Sequence, residues 1–237
     1  MRRLFSIIPK PAFALWCICS ALFFLLAADV RYHGLISRLD RPISERLHDA
    51  GTEKSVFLQA GTELGGGAIS RMTWAMAVVL VLLRRWHYLP FLSVAMTLGG
   101  TINGKMQAFF ARPRPSFPDM EVLTHPGFPS GHTATAALLF GFLIILSLRE
   151  LRSKEAKLIA VGVASASILF VAWTRVALLV HHTTDVIGSL LWCTAWLVGC
   201  HYGNIAAYRW SAENVEAWGG PCPKKDPLAP KPRSAEC

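Results

Sequence analysis

Six stretches nearly free of charge organise this sequence, and they constrain its fold more than any other feature. They cover residues 11–28, 64–83 (broken by Arg71), 89–104, 133–148, 158–174 and 186–208. A helix crosses the hydrocarbon of a bilayer in about 20 apolar residues, with a range of roughly 17–25. Runs 11–28, 158–174 and 186–208 reach that length unaided. Runs 89–104 and 133–148 reach it by taking in polar flanks. Run 64–83 reaches it if Arg71 snorkels to an interface or finds a partner. A soluble domain of 237 residues has too little polar surface to cover six such segments. Charged residues make up 16% of the chain, against about 25% for a soluble domain. The expectation is an all-α integral membrane protein, a bundle of six transmembrane helices.

The formal net charge of +9 invites a nucleic-acid reading. The placement of the 24 Lys and Arg residues argues otherwise. With six spans, fourteen of them fall on the side of both termini, dense in the short loops at Arg84-Arg85 and Arg149–Lys157. By the positive-inside rule both termini are cytoplasmic in a plasma or inner membrane. Segments 31–63, 105–132 and 175–185 then face outward. The opening Arg2-Arg3 and the first run have the look of a signal peptide. No small-residue cleavage site leads into a soluble domain, so a retained first helix is expected.

Residues 1–210 read as one membrane domain and 211–237 as a Pro- and Lys-rich disordered tail. In the outer segment 31–63, Asp40-Arg41-Pro42 reads as a turn and Ser44 as the N-cap of a short helix 45–50. The six cysteines lack metal-ligand spacing. Cys17, Cys19, Cys193 and Cys200 read as apolar fillers of the spans, and Cys222 and Cys237 as reduced thiols of the tail.

The remaining polar chemistry sits where spans end. Lys105 through Pro115 contains Lys105, Arg112, Pro113 and Arg114. Pro129-Ser130-Gly131-His132 precedes the fourth run. Thr174-Arg175 leads to His181, His182 and Asp185. The topology puts all three segments on the outer face. Cations at membrane depth are costly unless paired, so Lys105, Arg112 and Arg175 call for an anion. Arg suits phosphate because its planar fork donates two parallel hydrogen bonds. The free N–H groups at Ser130-Gly131 would begin a helix and favour negative charge, and Gly131 lets an oxyanion approach the backbone. His181 and Asp185, four apart, share a helical face. The carboxylate can take the Nδ1 proton and leave Nε2 as nucleophile, while His132 serves as general acid. That set describes phosphoryl transfer through a phosphohistidine.

These segments resemble the type 2 phosphatidic acid phosphatase family, the membrane branch of the vanadium haloperoxidase-like superfamily. Its pattern has Lys, six residues, Arg-Pro; then Pro-Ser-Gly-His; then Ser-Arg, five residues, His, three residues, Asp. Lys105, Arg112-Pro113, Pro129 to His132, Arg175, His181 and Asp185 match it, over about residues 60–205. Thr174 stands where the family has Ser. The resemblance implies an α-helical membrane bundle with its site at the outer helix ends. It implies His181 as nucleophile, Asp185 as its orienter and His132 as acid. Lys105, Arg112, Ser130, Gly131 and Arg175 would hold the phosphate, with no metal and no cofactor. Arg114, His182, Asp119, Glu121 and His125 fall outside the motifs; the last three belong to a loop that would roof the site, read first as solvated surface, with a part in head-group choice as the alternative.

The expected activity is hydrolysis of a terminal phosphate from a membrane lipid. Undecaprenyl diphosphate, phosphatidic acid, phosphatidylglycerol phosphate and a lipid A phosphate are the candidates, with a lean by analogy towards isoprenyl diphosphate. A lipid phosphotransferase would use the same residues. A non-enzymatic lipid-phosphate or anion binder or transporter would use the cations but leave His132, His181 and Asp185 without roles.

Overall fold

The computed structural model describes residues 8–62 and 65–217, and these are helical with no strand among them. Helix α1 spans Lys10–Arg31 with a proline in its first turn, where a missing N–H costs no hydrogen bond. The Asp29 carboxylate then accepts from the Ile36 and Ser37 N–H groups at 3.1 and 2.7 Å and folds the chain back. Helix α2 follows at Asp40–Asp49. The expected turn at Asp40-Arg41-Pro42 is corrected here: these residues are the first turn of α2. Pro42 is tolerated there for the same reason, and Ser44 is a buried interior residue of the helix, with no capping role.

Helix α3 covers Val56–Thr62 and α4 Gly67–Leu82. Residues 89–110 form three contiguous helical segments: α5 (Leu89–Ser93), a π-helical turn (Val94–Leu98) and α6 (Gly99–Phe110). A π turn shifts the carbonyl ladder. Trp196 answers by donating its indole N–H to Ala95 O at 3.3 Å. Helices α7 (Gly131–Glu150), α8 (Lys154–Ala177) and α9 (Thr183–Ala217) complete the chain.

Among the described residues, four helices are long and apolar enough to cross a membrane: Lys10–Arg31, Gly131–Glu150, Lys154–Ala177 and Thr183–Ser211. The run at 64–83 gives only the 16 residues of α4. Arg71, exposed near its start, leans back along the helix towards Gly67, the direction helical side chains favour. Helix α9 continues past Ser211 to Ala217. The rest of the expected tail, with Cys222 and Cys237, lies outside the described residues. Cys17, Cys19, Cys193 and Cys200 are free thiols.

Helix α7 lies at the centre, packed against α8 and α9, while α1 packs along α9. Leu138, Leu139, Phe142 and Phe91 are fully buried around it. Within a bilayer, close packing of surfaces holds helices together more than water exclusion does. Gly188 serves that packing directly. A Cβ there would meet the Phe128 ring at 2.6 Å, so the glycine seats Phe128, and with it the segment leading into α7, against α9. At the opposite end of α7, Glu150 accepts from Tyr88 Oη at 2.9 Å and pairs with Arg85 at 2.9 Å.

Candidate active site

Ser130 caps α7, its buried hydroxyl accepting from Thr133 Oγ1 at 3.1 Å and from Thr133 N at 3.5 Å. Its own N–H donates to Asp185 O at 3.2 Å. Ser189 Oγ stands 2.9 Å from both Ser130 O and Asp185 O. The N-termini of α7 and α9 are thereby locked together. Gln107 of α6 joins them by donating to Pro129 O at 2.8 Å.

The end of α8 supplies the next part. Leu179 adopts φ 56, left-handed and uncommon for a bulky residue, and reverses the chain. Val180 and His181 then both donate to Arg175 O at 3.2 Å. This tight turn buries His181 (2% exposed) beside Asp185 (0%). His181 Nδ1 stands 3.4 Å from Asp185 Oδ2, close enough to pair though long for a good hydrogen bond. Asp185 also accepts from His182 N–H at 3.0 Å and from Arg112 Nη1 at 2.5 Å.

Arg175 is buried, and its guanidinium donates to Thr62 Oγ1 and, at 3.4 Å, to Thr174 Oγ1. Thr174 in turn donates to Val171 O at 2.7 Å. The hydroxyl at the position that departs from the family pattern therefore supports Arg175. His132, half-buried on the first turn of α7, directs Nε2 towards Gly66, where a built Cβ would stand 3.3 Å away. It lines a cavity of about 280 Å³ together with Gly65, Gly66, Asn103, Gln107 and Gly131.

Arg112, Ser130, Gly131, His132, Arg175, His181 and Asp185 thus converge where α6, α7, α8 and α9 end or begin. Lys105 does not join them: it is exposed, and on an ideal helix it points about 200° away from both Asn103 and Gln107. Arg114 takes part, against its reading as a residue outside the motifs. It donates to His125 O at 2.9 Å and to Val180 O at 3.1 Å, and its charge acts on His132, Arg175 and His181. In the roof loop, Asp119 pairs with His48 of α2 at 3.2 Å and Phe117 stacks on the His48 ring at 4.1 Å, while Glu121 and His125 are exposed. Asp40, Thr62 and Gln107 hold the motif residues in place and carry no motif of their own. The second Arg-Pro pair at Arg114-Pro115 was the one local signal that pointed to any of these added contributors.

Burial pushes His181 below the ordinary histidine value. Asp185 opposes this, and the Arg114 and Arg175 charges add to it. Burial, then Arg112, lowers His182 in the same direction. A histidine whose folded value is depressed stays neutral above that value, so the lone pair of His181 persists below pH 6.5, the unperturbed midpoint. Nitrogen-15 NMR of labelled histidines, with His181→Gln for assignment, should show the His181 ring titrating below about 6.5. A midpoint at or above 6.5 would contradict this. By the same sign the fold is favoured while His181 is neutral, and that advantage is lost as pH falls from 6.5 through the folded value.

The model of the PAP2 superfamily matches residues 88–209. Among solved structures, the chain is similar to a transmembrane PAP2-type phosphatidylglycerolphosphate phosphatase from Bacillus subtilis. The two share 20% identity and a TM-score of 0.70, over 82% of this chain and 98% of that one. At that identity the likeness speaks for the fold. No curated protein matches the chain.

Proposed function

The chain belongs to the PAP2 superfamily, and from that membership and the cluster around His181 we propose that this membrane protein is a phosphatase acting on lipid phosphates. The observation that carries the reading is the buried His181–Asp185 pair, set beside Arg175 and Arg114 at the shared mouth of α7, α8 and α9. A neutral imidazole oriented by a carboxylate, with cations waiting for phosphate oxygens, is the arrangement an in-line phosphoryl transfer needs.

In the proposed reaction Nε2 of His181 attacks phosphorus and forms a P–N bond. The P–O bond to the lipid breaks, and its oxygen takes a proton from His132. An anionic phosphate beside His132 favours the imidazolium required for that donation. Water then attacks phosphorus, His132 takes the water proton, and the P–N bond breaks to release phosphate. Arg175, Arg114, Ser130 and the Gly131 N–H hold the phosphate oxygens. Arg112 acts there through its contact with Asp185, while Lys105, exposed on the other face of α6, takes no part. The electrostatic work falls to these cations, with no metal required.

The two apolar segments at 67–82 and 89–110 complete six spans in this reading. Both termini are then cytoplasmic and the site opens to the outer face of the plasma or inner membrane. The substrate is a lipid mono- or diphosphate of the kinds named above.

The test is phosphate release by the detergent-purified protein from ³²P-labelled isoprenyl diphosphate, phosphatidic acid, phosphatidylglycerol phosphate and lipid A phosphate, with a chelator present. Release from at least one is expected. Label passing to a second lipid would indicate a phosphotransferase, and saturable binding without turnover would indicate a binder. Loss of activity with chelator would overturn the metal-free mechanism.

A further inference from the structure

The first residue of α2 is a carboxylate that no motif includes, and it lies outside the family match at 88–209. Asp40 is 2% exposed. Its Oδ2 accepts from Arg112 Nη2 at 2.7 Å and from Thr184 Oγ1; its Oδ1 accepts from Thr184 N at 3.0 Å. The other Arg112 nitrogen, Nη1, donates to Asp185 Oδ1 at 2.5 Å and to Thr184 Oγ1 at 2.6 Å. One guanidinium is thus shared between two buried carboxylates, and the first turn of α9 is pinned between them.

We propose that Asp40 is a positioning residue for the His181–Asp185 pair, acting through Arg112 and Thr184. The proposal rests on the phosphatase reading given above. Its physical basis is the division of Arg112. A guanidinium presents its donors in a rigid plane, so a partner on one edge fixes where the other edge points. With Asp40 on Nη2, Nη1 is aimed at Asp185 Oδ1, which leaves Oδ2 turned to His181. Without Asp40, Arg112 is free to rotate and to draw the whole Asp185 carboxylate to itself, away from an imidazole it already reaches only at 3.4 Å. The Asp40 bond to Thr184 N meanwhile fixes the turn from which Asp185 projects.

Helix α2 has other anchors, so removing Asp40 need not undock it. Leu47 packs on Ala172, Val176 and Val186. Thr52 Oγ1, just beyond α2, donates to Ala177 O at 2.6 Å. His48 pairs with Asp119 at 3.2 Å.

The experiment is a double-mutant cycle in the full-length protein, with Asp40→Ala, Arg112→Ala and the pair. It reads kcat and KM on a soluble short-chain phosphate ester, and binding of orthovanadate, a mimic of the transferring phosphoryl group, by thermal shift. Asp40→Ala should lower kcat by on the order of 10- to 100-fold, the usual cost of losing a partner that orients a reacting group. KM should move far less. Asp40→Asn, which keeps an acceptor for Thr184 N, should fall between Asp40→Ala and wild type. In the Arg112→Ala background Asp40→Ala should cost much less than it does alone, because only its hold on Thr184 is then left to lose. Additive losses, or a kcat within twofold of wild type for Asp40→Ala, would overturn the positioning role. If the wild type binds vanadate but hydrolyses nothing, the phosphatase reading fails while the cycle is still read in vanadate binding. A wild type that does neither overturns both.

Discussion

His181→Ala should release lipid phosphate on the order of 10⁴-fold more slowly than wild type, with the folded protein and its affinity for a lipid phosphate largely retained. No other single change should cost as much, because it removes the atom to which phosphorus bonds in the proposed reaction. The neighbouring groups cannot substitute. His182 follows directly, yet it meets Asp185 Oδ2 through its backbone N–H and not through its ring. His132 directs Nε2 towards Gly66, into a cavity whose lining holds no carboxylate among the described residues. Trapping with ³²P-labelled substrate and rapid alkaline quench should give an acid-labile, alkali-stable label on the wild type and none on His181→Ala. Residual activity within tenfold of wild type, or label retained by the variant, would place the nucleophile elsewhere. The fold should survive the loss of this buried ring, since Asp185 is still held by Arg112 and the His182 N–H.

The helices were legible in the sequence because a span leaves a long gap in the charge pattern. Their ends were less so. At α7 and α9 the helix opens on the motif residues themselves, Gly131 and Thr183, so the polar chemistry hides the boundary from a hydropathy reading. The interruption of residues 89–110 by a π turn has no compositional mark, since Val94–Leu98 is apolar like its flanks. Among site residues, the pairing of His181 with Asp185 followed from spacing, whereas Ser130, read as a phosphate ligand, also caps α7. The direction of Lys105 did not follow from spacing, because a motif fixes separation along the chain, whereas the face a side chain takes depends on how α6 is rotated against α7. Asp40 was illegible for a further reason. Its partners are 72 and 144 residues away, and read locally it is the first letter of a turn.

Arg175 carries the second large effect, and here activity and stability should move apart. Burying a guanidinium costs several kcal/mol unless an anion compensates it. The described partners of Arg175 are the hydroxyls of Thr62 and Thr174, and Arg114 stands near enough to repel it. In the proposed reaction the phosphate supplies the anion that compensates Arg175. Arg175→Met keeps most of the volume and removes the charge. It should lower turnover by about 10²–10³, the loss expected when one donor to a developing oxyanion is deleted. The melting temperature of the unliganded protein should stay level or rise, as it does when a function-bearing strain is removed. Orthovanadate should raise the melting temperature of the wild type and leave that of Arg175→Met nearly unchanged, because only a state that binds the anion is stabilised by it. Arg175→Lys separates charge from geometry: it restores the cation without the planar fork, so turnover should recover only in part. A destabilised Arg175→Met that keeps wild-type turnover would instead make Arg175 a structural residue, held by its threonines for packing, and would leave the phosphate to Arg114.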